Sequence, residues 1–349
     1  MQSTIGYAAH TPNAPLAPFN FKRRTPLATD VQIEILYCGV CHSDIHQVCN
    51  DWGGSTFPMV PGHEIVGRVS KVGDKVHNFK LGDYVGVGCL VDSCMACPEC
   101  KDNLEQFCNN ATFTYDSYDS HSNNKTYGGY SKKIVVNQNF VLHISSKLNL
   151  AAAAPLLCAG ITTYSPLKHW QIGKGNKVGI VGLGGLGHMA IQFAHALGAH
   201  TVLFTTSPNK AKDTKRLGAD EVIISSNHEE MSQQVASFDF ILNTVSATHN
   251  LDSYTALLKR DATLCLLGLP DSPHPSPSIG NLIFKRRRIV GSLIGGLKET
   301  QEMLDFCAEN AISSEVEIIS IQEINTAFKR MLKKDVKYRF VIDLKTLKA

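Results

Sequence analysis

Four cysteines, Cys94, Cys97, Cys100 and Cys108, fall within fifteen residues in the pattern C-x-x-C-x-x-C with a fourth cysteine soon after. Such short spacings let adjacent turns aim several sulfurs at one point, which suits tetrahedral coordination of zinc by thiolates. A shell of four thiolates leaves no open position, so the chemistry implied is structural. Iron–sulfur clusters use similar spacings, but nothing else in the chain suggests electron transfer. A second set of metal-competent residues is dispersed. Cys41 stands in Gly39-Val40-Cys41-His42-Ser43-Asp44-Ile45-His46, His63 and Glu64 in Pro61-Gly62-His63-Glu64, and Cys158 in Leu156-Leu157-Cys158-Ala159-Gly160. Taken singly, each has a plain alternative: a cysteine amid apolar neighbours packs in a core, and a histidine beside glycine satisfies a turn. Spacing alone does not unite them.

A third constellation is Gly182-Leu183-Gly184-Gly185-Leu186-Gly187, between a strand-like run (Val178–Val181) and a helical pattern from His188. In that context G-x-G-x-x-G reads as a dinucleotide turn. Gly182 permits the tight turn, Gly184 lets the backbone approach a pyrophosphate, and Gly187 allows helix to pack on strand; the anion then sits at the helix N-terminus. The next strand bears on which dinucleotide. A site for NAD places a carboxylate about 20 residues past the fingerprint. Here the region reads Phe204-Thr205-Thr206-Ser207-Pro208-Asn209-Lys210, and the first carboxylate is Asp213. Hydroxyls with Lys210, and Lys212 beyond it, would accept a 2′-phosphate, so NADP(H) is expected over NAD(H). A polar turn without preference is the bland alternative.

These residues need elements to place them. The first 150 residues carry short β-branched runs broken by Gly, Asp and Asn, such as Val31–Leu36, Glu64–Val69 and Ile134–Val136, which predict an irregular β-rich domain. Thr112 to Gly129 predicts a long loop. Near Leu150 the texture changes. From Lys177 onward short apolar runs alternate with helical patterns, which predicts βαβ units and a parallel sheet. The last strand-like run, Tyr338 to Asp343, could rejoin the first domain, which would make the parallel-sheet domain an insertion.

Of the 349 residues, 43% are apolar and 19% charged, with a formal net charge of +3. Nothing in that balance argues for nucleic acid or a membrane surface. The one basic cluster, Lys285-Arg286-Arg287-Arg288, is expected to be a solvated segment. No apolar run of signal-peptide or membrane-spanning length is present. The eleven cysteines are then expected to be metal ligands, reactive thiols or small buried hydrophobes in a cytoplasmic protein.

The blocks GVCHSDIHQ, PGHEIVGRV, GDYVGVGC, the four-cysteine lobe, PLLCAGITTYSPL, GLGGLGHMA, GSLIGGLKETQEMLDFCAE and DVKYRFVIDL resemble those of zinc-dependent medium-chain alcohol dehydrogenases, most of all the cinnamyl-alcohol-dehydrogenase branch with its broad-range aldehyde reductases. The resemblance runs through essentially the whole chain. It implies an α/β fold in which a Rossmann doubly wound parallel sheet (157–293) is inserted into a GroES-like β-rich catalytic domain (1–156 and 294–349). It also implies two zinc ions. The catalytic one would take Cys41, His63 and Cys158, with Glu64 beside it, and the other Cys94, Cys97, Cys100 and Cys108. Asp44 would accept the free N–H of His63.

The resemblance further implies that zinc acts as a Lewis acid while hydride passes between a primary alcohol or aldehyde and the nicotinamide. The proton would leave through Ser43 and, by way of the cofactor ribose, His46. A helix cap for Ser43 and a surface position for His46 are the plain alternatives. His42 would meet the pyrophosphate and Thr162 the nicotinamide. Gly182, Gly184, Gly185, Leu186, Gly187, Thr205, Thr206, Ser207, Lys210, Leu269, Leu293 and Ile294 would complete the cofactor site. The substrate pocket would involve Gln47, Trp52, Cys89, Phe113, Leu269, Leu293 and Ile294, an apolar lining suited to aromatic and medium-chain aldehydes. Phe113 stands where plant cinnamyl enzymes usually have tryptophan, and Trp52 where a smaller residue is frequent. A homodimer is expected through the segment Arg288–Gly296. An NAD-preferring secondary-alcohol or polyol dehydrogenase on the same fold is the alternative activity, and a non-catalytic zinc- or dinucleotide-binding protein the alternative class.

Overall fold

The computed structural model describes residues 1–207 and 211–348. The chain forms two compact units, Met1–Ile161 with Gly295–Ala349, and Thr162–Ile294. The first join lies inside the helix Ala159–His169, past the sequence-based boundary of 156/157. The second lies one residue past 293/294.

The first unit is built on a seven-stranded sheet. Its organising strand is Asp30–Val40, eleven residues long, with Val31, Ile33 and Ile35 buried on one face. It pairs antiparallel with Ile65–Val72, and on its other side with Lys133–Asn137 near its start and Arg339–Asp343 near its end. Arg339–Asp343 also takes Val316–Ser320 as a parallel neighbour. The chain's last strand thus belongs to the unit formed by its first third. The register Cys38 opposite Ile65, with the Gly39 N–H donating to the Glu64 carbonyl at 2.9 Å, sets His63 and Glu64 beside the strand end that leads into Cys41.

The expected long loop is mostly irregular. A short strand, Thr112–Phe113, pairs with Leu90–Asp92, and Tyr118 bridges Lys125. Asp119 organises this segment by accepting from the backbone N–H groups of His121 and Ser122, the Ser122 hydroxyl and Arg24.

The second unit is a six-stranded parallel sheet in the order Glu221–Ile224, His200–Thr205, Lys177–Val181, Phe238–Asn243, Leu258–Leu266, Arg288–Gly291. The chain adds strands outward from Lys177–Val181 on one side, then returns to add the rest on the other, which is the doubly wound topology. Strands covered on both faces need apolar residues throughout. Val202, Phe204, Phe238, Ile241 and Leu264 are buried accordingly.

The basic cluster corrects one expectation. Lys285, Arg286 and Arg288 are exposed, but Arg287 donates to the carbonyls of Leu258, Asn281 and Ala256 at 2.8, 3.1 and 3.1 Å. It ties the turn before the last strand to the preceding strand, which is a structural task. Among the described residues no single helix is long and apolar enough to cross a membrane.

Candidate metal centres and dinucleotide turn

Cys41 closes the long strand and caps the helix His42–Cys49. The cap is completed by Asp44, whose carboxylate accepts the Cys41 N–H at 2.9 Å. The capping role suggested for Ser43 is therefore held by Cys41 and Asp44. Asp44 is fully buried and also accepts from the Gly62 N–H at 3.1 Å and the Tyr130 hydroxyl at 3.0 Å, and it lies 3.2 Å from His63 Nδ1. One carboxylate thus fixes the backbone of Cys41, the turn before His63 and the His63 ring. With Nδ1 engaged, Nε2 is the ring nitrogen left to ligate. Tyr115 stacks on that ring, centroids 5.8 Å apart.

Cys158 arrives from a different segment, at the break between a short 3-10 turn and the helix that starts at Ala159. Ligand atoms of Cys41, His63, Glu64 and Cys158 all lie within 4.8 Å of one another, and all four residues are buried. A hydrogen bond between the two thiols holds Cys41 well below the usual thiol range and Cys158 well above it.

Glu64 pairs with buried Arg339 through Oε1, while its Oε2 is buried without a partner among the described residues. Burial pushes its carboxyl up to about 7 despite the arginine. Two thiols and an imidazole, with an orphaned carboxylate oxygen beside them, are a donor set that fits zinc.

The second cluster is local. Cys108 and Cys100 place their sulfurs 3.5 and 3.9 Å from that of Cys94, and all four sulfurs lie within 4.8 Å of one another. A tetrahedron of bonds of about 2.3 Å puts ligand sulfurs roughly 3.8 Å apart, close to the two shorter separations here. Backbone N–H groups of Ala96 and Cys97 pull the Cys94 thiol down to about 6. The Asn110 N–H donates to Cys108 at 3.3 Å.

In the second unit the glycine turn follows Val181 and leads into the helix Gly187–Ala196. Gly182 has φ +91°, and a Cβ on Gly187 would lie 2.0 Å from the Gly182 carbonyl oxygen. Only glycine permits both. Gly184 faces open space, where a pyrophosphate can approach the backbone. Leu186 is the residue just before the helix, and Gly185 precedes it in the turn. Thr205 is buried at the end of its strand, its hydroxyl accepting from the Ser207 N–H at 3.2 Å, and Thr206 is exposed. Lys210 lies outside the described residues. Thr162 is buried in the helix Ala159–His169.

The remaining expected residues are placed as follows. His42 is exposed at the start of its helix, and Ser43 lies with its hydroxyl 3.6 Å from Cys41 Sγ. His46 binds Asp51 through Nδ1 at 2.8 Å and stacks on Trp52. Gln47 meets the Ser55 hydroxyl. Cys89 hydrogen-bonds with Cys158, which lowers its thiol, and Phe113 is exposed on its hairpin. These belong to the first unit; Leu269, Leu293 and Ile294 belong to the second, with Leu269 and Leu293 exposed and Ile294 at φ +35°. Sequence reasoning missed Arg339, Tyr115, Tyr130 and Asp51. Arg339 sits in the DVKYRFVIDL block, but no spacing rule links it to Glu64, 275 residues away.

Comparison with known proteins agrees along the whole chain. Residues 28–146 match the family described as alcohol dehydrogenase GroES-like domain, and residues 185–309 the family described as zinc-binding dehydrogenase. The aldehyde reductase YahK of Escherichia coli is 59% identical over 340 residues, 97% of each chain. Among solved structures, a cinnamyl alcohol dehydrogenase of Sorghum bicolor superposes with TM-score 0.96 at 40% identity, covering 99% of this chain and 98% of its own. The cinnamyl alcohol dehydrogenase of Helicobacter pylori complexed with NADP(H) does so with TM-score 0.93 at 42% identity, covering 98% of both. An enzyme-like donor set, a glycine turn on a doubly wound sheet and relatives of this closeness lead to one conclusion: the chain belongs to the zinc-dependent medium-chain alcohol dehydrogenases.

Proposed function

We propose that the protein reduces aldehydes to primary alcohols, and catalyses the reverse oxidation, with NADP(H) as the hydride carrier and a zinc ion held by Cys41, His63 and Cys158. The observation that carries this reading is the buried cluster of Cys41, His63, Glu64 and Cys158, whose ligand atoms all lie within 4.8 Å of one another. Zinc bound there supplies Lewis acidity to a substrate oxygen, and a bound nicotinamide supplies or accepts hydride. The chain's own residues do the rest. Asp44 holds His63 and Cys41 in place, burial excludes water from the ligands, and the Ser43 hydroxyl beside Cys41 carries the proton of the reacting oxygen. His46, tethered at Nδ1 by Asp51, keeps Nε2 for passing that proton onward. Cys94, Cys97, Cys100 and Cys108 hold a second, structural zinc.

NADP(H) is supported by the strand end Thr205-Thr206-Ser207, which offers hydroxyls and no carboxylate to the ribose, and by the NADP(H) complex of the Helicobacter enzyme. Gly182, Gly184 and Gly187 receive the pyrophosphate. Trp52 and Phe113 supply aromatic surface suited to aromatic or medium-chain aldehydes. A homodimer is supported by the strand Arg288–Gly291, paired on one side only among the described residues, and by the exposed side chains of Ile283 (70%) and Phe284 (85%) just before it. Cysteines used as zinc ligands, with Cys38, Cys265 and Cys307 buried as thiols, suit the reducing cytoplasm. Oxidation of NADPH and of NADH, followed across a panel of aldehydes, tests the reading. NADPH should give the higher kcat/KM, and equal values would contradict the cofactor assignment.

A further inference from the structure

Sheet order points to a second wall for the dinucleotide. The chain switches sides between Lys177–Val181 and Phe238–Asn243, so the loops leaving these strands flank the crevice where such a sheet takes its ligand. One is the glycine turn. The other begins at Thr244, and the two are joined. Thr244 donates its N–H and its hydroxyl to the Val181 carbonyl at 3.1 and 2.7 Å. A third loop, after Leu258–Leu266, closes on the second: Gly268 lies so near that a Cβ there would be 2.5 Å from the Val245 carbonyl.

One buried amide and one imidazole hold this second wall. Asn243 is 1% exposed. Its Oδ1 accepts from the Val245 N–H at 3.1 Å, so Nδ2 is the atom facing His249 Nε2 at 2.8 Å. That ring nitrogen must accept. Across the ring, Nδ1 lies 2.7 Å from the Ala247 carbonyl oxygen, which can only accept, so the proton sits on Nδ1. Both contacts demand the same neutral tautomer. His274 stands edge-on to this ring, centroids 4.9 Å apart, with its Nδ1 in hydrogen-bond reach of the His249 backbone. The Thr248 hydroxyl donates to the Ser272 carbonyl at 2.7 Å.

We propose that His249 is a positioning residue that holds Thr244 to His249 as the second wall of the dinucleotide site only while its imidazole is neutral, so that acid weakens dinucleotide binding through this residue. A proton on Nε2 sets two donors against each other. Turning the Asn243 amide to meet it forfeits the bond from Val245. The titratable groups on the elements packed around the ring are His274 and Asp271 from the third loop, and Tyr254 and Asp252 from the helix Asp252–Thr255. Asp252 accepts from the Ser278 N–H and Asp271 from the Ser272 hydroxyl. Among the described residues, no carboxylate forms an ion pair with His249 that would offset the added charge.

The inference rests on the reading of the glycine turn as a dinucleotide site. Calorimetric titration of the zinc-loaded full chain with NADP⁺ at about pH 8 and about pH 5.5, which span the ordinary imidazole range, tests it. The comparison is between the native protein and His249→Gln, whose amide takes up no proton in that interval. The native protein should lose about tenfold more affinity than the variant, the worth of one hydrogen bond to a charged-or-neutral switch. The 2′-phosphate titrates equally in both and cancels. Equal losses would overturn the proposal. Should the variant fail to fold, ¹⁵N imidazole shifts of the native protein decide. An Nδ1–H tautomer at the higher pH, with protonation displaced to lower pH by NADP⁺, supports the proposal, and an Nε2–H tautomer overturns it. Absence of binding by both NADP⁺ and NAD⁺ to the native protein would instead overturn the reading of the glycine turn, and the proposal with it.

Discussion

Cys41, His63 and Cys158 come from three segments spread over more than a hundred residues and are buried, whereas Cys94, Cys97, Cys100 and Cys108 come from fifteen residues and three of them are partly exposed. Both sets are built around thiols. Around the first stand a fully buried carboxylate that orients two ligands, a stacked tyrosine, and an ion pair that leaves one carboxylate oxygen unsatisfied. Around the second stand mainly backbone N–H groups that satisfy the sulfurs. On the proposed reading, the difference teaches that donor type chooses the metal, and surroundings choose the task. A dry site strengthens every charge interaction within it, and an unsatisfied group beside an open position is where chemistry can occur. A closed, locally built shell can only brace the chain.

The contrast can be broken by mutation. The largest effect is expected from Cys158→Ala, which removes a proposed ligand of the catalytic zinc. Losing a Lewis acid worth several kcal/mol should cut kcat/KM for aldehyde reduction by about a thousandfold or more, measured with NADPH as donor. Ser43→Ala should follow, lowering turnover by roughly a hundredfold or more through loss of proton transfer, while the Kd for NADP⁺ stays near the native value. Equal losses in turnover and cofactor affinity would argue against the relay. Asp44→Asn keeps the shape but weakens the hold on His63. Its zinc affinity at the catalytic site should fall by about 10–100-fold, read by competition with a chelator, and the four-cysteine zinc should be unaffected. The smallest effect on catalysis belongs to Cys97→Ser. It should lower the Tm and release the structural zinc, while the kcat/KM of molecules that stay folded barely changes.

The same contrast explains what could be read from sequence. Four thiols on adjacent turns are legible because backbone geometry within fifteen residues already brings them together. The glycine turn is legible for the same reason, since Gly182 and Gly187 meet across one turn. The catalytic set is not. His63 and Glu64 reach Cys41 only through the antiparallel register of Asp30–Val40 with Ile65–Val72, and Cys158 joins at a break between two helical segments. Pairings of that kind carry no spacing signature, so there the family resemblance supplied the grouping. Arg339 and the Asn243–His249 pair lie one step further out. Each is an ordinary polar residue until the fold supplies its partner, and the carbonyls that hold Arg287 likewise come from the fold.

Zinc content is the most direct measurement of the division between the two clusters, taken on the native protein, Cys158→Ala and Cys97→Ser together with their NADPH-dependent aldehyde reduction. Two zinc ions per native chain and one in each variant are expected, with activity abolished only in Cys158→Ala. A native chain holding a single zinc, or a Cys158→Ala protein that retains full activity, would contradict the assignment of separate tasks to the two sites.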